Sequence, residues 1–127
     1  MMTYQEGLRV LMMKRKHLNK TERQKVYQKT KGHCAYCGCS IAITDMQIDH
    51  VFPLHRGGAD EYDNMLPACR SCNHRKHTLT VDKFRAEVEK FPAVLERDSV
   101  TYKNAVRFGL VIPNPHSVVF YFERMES

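Results

Sequence analysis

Two short-spaced pairs of cysteines constrain this chain more than any other feature. Each pair has the spacing Cys-x-x-Cys, and 31 residues separate Cys34 and Cys37 from Cys69 and Cys72. A two-residue gap lets both sulfurs of a pair reach one ion at about 2.3 Å, so the four thiolates predict a tetrahedral structural zinc site. Disulfide bonds are the alternative interpretation. We expect metal instead, because the N-terminus does not resemble a signal peptide and short-spaced thiol pairs inside cells usually bind metal.

The chain is short enough that a bound structural metal ion would help to stabilise its fold. The 127 residues predict one domain with a modest hydrophobic core, and the chain contains no tryptophan. No apolar run approaches the roughly 20 residues that a membrane span needs. Small domains with thin cores often depend on a bound ion for stability. The fifth cysteine, Cys39, is either a spare thiol beside the site or a competitor of Cys37 for the ion.

Positive charge is concentrated in the first third of the chain. The net charge is +6, whereas residues 1–33 alone carry +7. Such a block predicts binding to a phosphate backbone, and a solvated basic helix face is the plain alternative. The basic residues that we expect to contact nucleic acid are Lys14, Arg15, Lys16, Arg56, Arg70, Arg75 and Lys76.

The chain shows no repeats and no low-complexity linker. We therefore predict a single domain over residues 1–127 with three parts. A basic helical part covers residues 1–32, a core covers residues 33–79, and a helical tail with a short strand covers residues 80–127.

Local patterns predict the helices and strands of these parts. Residues 3–18 have loose helical spacing, and a second helix begins with Thr21 as its N-cap and Gln24 at the capping-box position. That helix should run to about Lys31. The remaining predicted elements are a strand over Met46–Phe52, a helix from Cys69 or Arg70 through Lys76, a helix over Thr80–Lys90, a helix from Asp98 or Ser99 to Gly109, and a strand over Val118–Phe122.

Polar residues suited to cutting phosphodiester bonds lie between and just after the cysteine pairs. Asp49 and His50 are adjacent on a predicted strand, so their side chains diverge. Asp49 is a hard oxygen ligand for a cation such as Mg²⁺, and His50 can take a proton from water at neutral pH. Asn64 is placed to orient the His50 ring by accepting its other N–H.

Two further candidates lie on the helix that follows the second cysteine pair. Asn73 and His77 are four residues apart and share one helix face, and Cys72 holds the start of that helix at the zinc. Plainer explanations stay open for each residue. Asn64 could only form a turn, Asn73 could only cap the helix, and His77 could be an exposed helix residue.

Taken together, these motifs resemble the HNH nuclease family, the ββα-metal nucleases. The resemblance covers about a third of the chain. It implies an α+β fold in which a ββα-metal core with a structural zinc is flanked by basic N-terminal helices and a C-terminal tail. The matching residues are Cys34–Gly38, Ile48–Leu54, Gly57, Gly58, Asp63–Leu66, Cys69–Asn73 and Lys76.

The resemblance also implies roles for the candidate residues. His50 corresponds to the general base and Asn64 to the middle asparagine. Asp49 and Asn73 correspond to ligands of a catalytic Mg²⁺ or Mn²⁺, and His77 to an additional ligand found in some members. The implied activity is hydrolysis of DNA phosphodiester bonds to 5′-phosphate and 3′-hydroxyl ends, with one ion and one histidine nicking one strand.

The implied setting is the cytoplasm of a bacterial cell, for a bacterial or phage-encoded protein. The expected partner is double-stranded DNA, bound by a monomer or weak dimer with no membrane involved, and recruitment to a phage packaging machine is compatible with this activity. The residues alone do not decide between DNA and RNA. A non-catalytic zinc module that binds nucleic acid is the alternative, because the cysteines and the basic N-terminus fit it equally well.

Overall fold

The described part of the chain divides into two compact units. The computed structural model describes residues 17–126. Of these residues, the first unit comprises 17–81 together with 119–126, and the second comprises Asp82–Val118. The single-domain organisation stays a prediction. Lys14, Arg15 and Lys16 lie outside the described residues, as does nearly all of the helix predicted over residues 3–18.

The first described helix, α1, spans Lys20–Gln28 and begins two residues before its predicted start. Asn19 is its N-cap, because the Asn19 side chain accepts a hydrogen bond from the Glu22 backbone N–H at 2.8 Å. The Glu22 carboxylate accepts one in return from the Asn19 N–H at 3.2 Å. The predicted cap at Thr21 is therefore wrong, since the capping box consists of Asn19 and Glu22.

A two-stranded antiparallel sheet follows. Strand β1 spans Gln47–His50 and strand β2 spans Met65–Ala68, with His50 opposite Met65 and Gln47 opposite Ala68. The first strand is shorter than predicted. The second was not predicted from its own pattern, and it contains Pro67, which a two-stranded sheet tolerates because both strands are edge strands.

Helix α2 spans Arg70–Lys76 and directly follows β2, as predicted. Its N-cap is Cys69, whose sulfur accepts a hydrogen bond from the Cys72 N–H at 3.4 Å. The order β1, β2, α2 confirms the predicted α+β class with a ββα core.

The loop between the strands contains two short 3₁₀ turns, Leu54–Arg56 and Tyr62–Asn64. Gly57 has a φ of 94°, a left-handed conformation that glycine adopts without steric cost. The chain packs back on itself here, because a Cβ on Gly58 would lie 1.8 Å from the carbonyl oxygen of Phe52.

Two apolar clusters support the first unit. One packs the buried residues Val26, Met46 and Met65 between α1 and the sheet. The other is aromatic: the ring of Tyr36 meets Phe120 edge-on at a centroid distance of 5.1 Å, and Phe122 lies 5.9 Å away.

The C-terminal segment returns to the first unit as a helix. Residues Tyr121–Met125 form the last helix, and Glu123 caps it by accepting a hydrogen bond from the Phe120 N–H at 2.9 Å. The Phe122 N–H donates to the Ala35 carbonyl at 2.8 Å. The strand predicted over Val118–Phe122 is therefore wrong, because the cap and the aromatic cluster favour a helical turn there.

The second unit is helical. Its helices are α3 over Val81–Glu89, α4 over Phe91–Asp98 and α5 over Val100–Arg107, with Val81 itself assigned to the first unit. The predictions for α3 and α5 are confirmed to within two residues, whereas α4 was not predicted. The C-terminal helix over Tyr121–Met125 is therefore α6. Pro92 lies in the first turn of α4, where its missing N–H costs no hydrogen bond. No helix among residues 17–126 is both long and apolar enough to cross a membrane.

Candidate metal centre and active site

The four predicted zinc ligands come together in space. The sulfurs of Cys34, Cys37, Cys69 and Cys72 all lie within 4.8 Å of one another, and those of Cys37 and Cys69 are 3.9 Å apart. Four sulfurs placed tetrahedrally at about 2.3 Å from zinc are about 3.8 Å from each other, so this cluster fits the ion. Cys39 is exposed and does not belong to the cluster.

Backbone hydrogen bonds shape the first cysteine turn and attach it to the sheet. The Gly38 N–H donates to the Cys34 carbonyl at 3.0 Å, and Gly38 has a φ of 81°. The Ala35 N–H donates to the carbonyl of Pro67 in β2 at 2.9 Å. The cluster therefore joins this turn to the end of β2 and the start of α2.

The crowded thiols also require a cation if all are to be ionised. The thiol of Cys72 donates a hydrogen bond to Cys34, which lowers the pKa of Cys34 to about 4 and raises the pKa of Cys72 above its ordinary range. Burial by itself raises the pKa of both thiols. At Cys34 the hydrogen bond from Cys72 outweighs this effect, whereas at Cys72 the two effects act in the same direction. Four thiolates in this volume repel one another, and a bound divalent cation removes that repulsion.

Asp49, a residue of β1, belongs to a buried polar network with Tyr36 and Lys76. The phenol of Tyr36 donates a hydrogen bond to Asp49 Oδ2, and the Lys76 ammonium lies 3.2 Å from Oδ1 and 3.1 Å from Oδ2. Burial raises the pKa of Asp49, and the hydrogen bond from Tyr36 and the charge of Lys76 oppose that shift. The pKa of Tyr36 is raised, first by its own burial and then by the neighbouring Asp49 charge.

Lys76, one of the basic residues predicted to contact nucleic acid, is buried. Its side chain is fully buried, and besides Asp49 it donates to the His50 carbonyl at 3.0 Å. The surface position that such a contact needs is not observed, although a basic residue on a short helix is usually exposed. A sequence signal existed, since Lys76 lies four residues after the zinc-cluster residue Cys72 and so shares its helix face.

His50 is buried at the end of β1, with one ring nitrogen paired. Its Nε2 lies 2.8 Å from Asp60 Oδ1, and its Nδ1 is buried with no hydrogen-bond partner among residues 17–126. Asp60 was not predicted as a site residue. No local pattern marks it, because it approaches His50 only through the path of the loop between the strands.

Asn64 closes that loop and does not contact the His50 ring as predicted. Its Oδ1 accepts from the Phe52 N–H at 2.9 Å, and its Nδ2 donates to the carbonyls of Phe52 at 2.9 Å and Ala59 at 2.8 Å. The Asn64 carbonyl also accepts from the Val51 N–H at 2.9 Å. Its amide is therefore committed to the loop.

A cleft of about 870 Å³ brings together the predicted acid, base and helix residues. Asp49, His50, Asn73 and His77 all line it. His77 does not continue the helix; it has a φ of 47°, and its N–H donates to the Asn73 carbonyl at 3.0 Å. A carboxylate, an amide and an imidazole thus line one cleft, and each of these groups can act as a metal ligand.

The predicted basic contacts divide into exposed and buried groups. Arg56, Arg70 and Arg75 are exposed, and Arg75 lines the cleft. The Arg56 Nε–H donates to the Thr78 carbonyl at 2.6 Å, which holds this guanidinium beside the end of α2. His55 and His74 line the same cleft.

Known proteins match the core of the chain. The family model for the HNH endonuclease matches residues 34–79. The type IV methyl-directed restriction enzyme EcoKMcrA of Escherichia coli is 34% identical over 58 residues, which cover 41% of this chain and 21% of that protein. The CRISPR-associated endonuclease Cas9 of Corynebacterium diphtheriae is 32% identical over 50 residues, which cover 39% of this chain and 5% of that protein.

A solved structure shares the fold. The type II-C Cas9 enzyme from Actinomyces naeslundii aligns with a TM-score of 0.50 at 20% identity, over 66% of this chain and 10% of that one. The chain thus spans a small part of each relative, and the matched segment contains the cysteine cluster, the ββα core and the cleft residues. Residues 34–79 of this chain therefore match the HNH endonuclease family in sequence, and the ββα core lies within that match.

Proposed function

We propose that this chain is a metal-dependent endonuclease that hydrolyses DNA phosphodiester bonds, with His50 as the general base. The observation that carries the proposal is the cleft in which His50 lies beside Asp49 and Asn73, within the segment that matches the HNH endonuclease family. The two curated relatives are a restriction enzyme and an endonuclease by name, which supports DNA as the substrate.

The roles of the residues follow from their surroundings. His50 takes a proton from the water that attacks the phosphorus, since an imidazole is the side chain best matched to proton transfer at neutral pH. Asp49 and Asn73, with His77 as a further donor, would hold Mg²⁺ or Mn²⁺, which stabilises charge on the phosphate and the leaving oxygen when bound. Asn64 acts as a positioning residue through the loop that it closes.

Basic side chains near the cleft would bind the DNA, and the single active site would cut one strand. The exposed guanidiniums of Arg56, Arg70 and Arg75 contact phosphates, and Lys14–Lys16 add sequence-independent attraction. One base and one cation site cut one strand, so a monomer nicks DNA. The zinc cluster holds the start of α2, and hence Asn73, in place beside β1.

One observation favours a non-catalytic zinc module that binds nucleic acid. Both oxygens of Asp49 already interact with Lys76, and one also accepts from Tyr36. A carboxylate has about four lone-pair sites, so this pairing leaves little room for a cation. Cleavage assays separate the two functions.

The test is nicking of supercoiled plasmid by wild type and His50→Ala, in Mg²⁺ or Mn²⁺ and in chelator. His50→Ala should cut about 10²–10⁴-fold more slowly, because the base acts only in the chemical step. DNA binding and zinc content should stay at wild-type levels. His116→Ala, at an exposed histidine of the second unit, is the matched control and should cut normally.

The contrary outcomes are distinct. Cleavage by His50→Ala at the wild-type rate would refute the assigned base. DNA binding by wild type without metal-dependent cleavage would support the non-catalytic module.

A further inference from the structure

We propose that Asp60 is a positioning residue that holds the His50 ring by accepting its Nε2–H and so leaves Nδ1 as the nitrogen that takes the proton. The inference rests on the proposed function and adds the residue and the ring atom through which the base works. Three observations on the described residues support it.

The first observation is the geometry of the contact. Asp60 Oδ1 lies 2.8 Å from His50 Nε2, within the range of a charge-assisted hydrogen bond. The side chains of His50 and Asp60 are 4% and 20% exposed, so water screens the contact only partly. A shielded carboxylate that accepts a hydrogen bond from an imidazole holds the ring in one orientation.

The second observation assigns the proton. An ionised carboxylate can only accept, so the hydrogen in this contact belongs to Nε2 of the ring. A neutral imidazole carries one N–H, and Nδ1 therefore presents a lone pair. That atom is buried without a partner among the described residues. Buried polar atoms without a protein partner are few in native structures, and a catalytic role is one explanation for them.

The third observation is the position of Asp60 relative to the cleft. His50 lines both the cleft with Asn73 and His77 and a second cleft of about 300 Å³. Asp60 is among the residues that line the second cleft, together with Arg23 and Met65, and the first cleft is lined without it. Asp60 thus approaches His50 from a side other than that of Asn73 and His77, and its carboxylate contacts the imidazole ring.

The loop between the strands fixes this position. Asn64 donates to the carbonyl of Ala59, the residue before Asp60, and Gly58 donates to the Pro53 carbonyl at 2.9 Å. These two hydrogen bonds hold the loop close to the end of β1. Asn64 therefore helps to place Asp60, and through it the His50 ring, without contacting that ring.

The experiment compares single-turnover and steady-state nicking by Asp60→Asn, Asp60→Ala and Asp60→Glu. Asp60→Ala should lower kcat about 10- to 10²-fold, the range typical of groups that orient a functional histidine, with KM for DNA and the Mn²⁺ requirement unchanged. Asp60→Glu should recover part of the loss. Asp60→Asn keeps the shape, but its amide can donate to Nε2 and shift the hydrogen to Nδ1, so kcat should fall while the fold is retained.

The matched control is Glu61→Gln, which removes a neighbouring exposed carboxylate and should leave kcat unchanged. Wild-type kcat in both Asp60→Asn and Asp60→Ala would overturn the inference. So would an equal loss in the control, since it would point to the charge of the loop.

A second measurement does not depend on cleavage. Nitrogen-15 NMR of the imidazole rings, with His50 assigned from a His50→Gln spectrum, should show the neutral Nε2–H tautomer in wild type and its loss in Asp60→Asn. An Nδ1–H tautomer in wild type would overturn the inference even in an active enzyme. If wild type does not cut DNA, the proposed function fails and the catalytic purpose of Asp60 fails with it, while the spectrum still reports whether Asp60 sets the tautomer.

Discussion

Replacing Lys76 with methionine tests the buried network that supports the cleft. The ammonium is fully buried, lies 3.1 Å from Asp49 Oδ2 and donates to the His50 carbonyl at 3.0 Å. Methionine keeps most of the apolar stem, so the main loss is the charge and its hydrogen bonds. Asp49 is then left buried with only the phenol of Tyr36 as a partner from this network.

The magnitude follows from the separation of the charges. At an effective dielectric constant of about 20, unit charges about 3 Å apart attract by about 5 kcal/mol. Removing one partner of a buried pair typically costs 3–5 kcal/mol. Burial already raises the pKa of Asp49, and a protonated Asp49 relieves part of the cost. We therefore expect Lys76→Met to lower the free energy of unfolding by about 3 kcal/mol, a large share of the roughly 5–15 kcal/mol typical of a domain.

The assay is urea unfolding at saturating zinc, followed by circular dichroism, for Lys76→Met, Asp49→Asn and the double variant. The double variant should be more stable than Lys76→Met, because it contains no unpaired buried charge. Lys25→Met, at an exposed lysine of α1, should change stability by no more than about 0.5 kcal/mol. A loss below about 1 kcal/mol in Lys76→Met, or strictly additive effects of the two changes, would refute the reasoning.

Three further predictions concern the zinc, the basic segment and the loop. Purified protein should contain about one zinc per chain, and Cys69→Ser should lose it and melt at a lower temperature, by metal analysis and calorimetry; folded wild type without zinc would contradict this. Changing Lys14, Arg15 and Lys16 to glutamine should weaken DNA binding equally on all sequences and reduce the slope of log affinity against log salt by about 0.9 per lost phosphate contact; an unchanged slope would indicate a solvated face. Asn64→Ala removes three side-chain hydrogen bonds, so it should cost about 1–3 kcal/mol in urea unfolding and lower kcat; an unchanged midpoint would show that other contacts hold the loop.

The successes and failures of sequence reasoning divide by the range of the interactions. The cysteine cluster and the start of α2 were predicted, because both depend on short, regular spacings. The cap at Asn19 was missed by two residues, since Asn, Thr, Glu and Gln all suit capping and only the folded chain selects among them. The C-terminal strand was wrong because the apolar residues around Phe120 pack on Tyr36, which is 84 residues earlier in the chain.

The sequence by itself determined which chemistry is available: four thiolates at metal spacing, an Asp–His pair, and a helix that begins at the second cysteine pair and presents Asn73. These follow from bond lengths and from the periods of helix and strand, which do not depend on the rest of the fold. Only the tertiary structure decided how the groups are partnered. Lys76 pairs with Asp49 instead of facing solvent, Asn64 closes a loop, and Asp60 meets His50. Such pairings depend on where distant segments meet and on the free-energy cost of burying a polar group without a hydrogen-bond partner. The local spacing of residues contains no information on either.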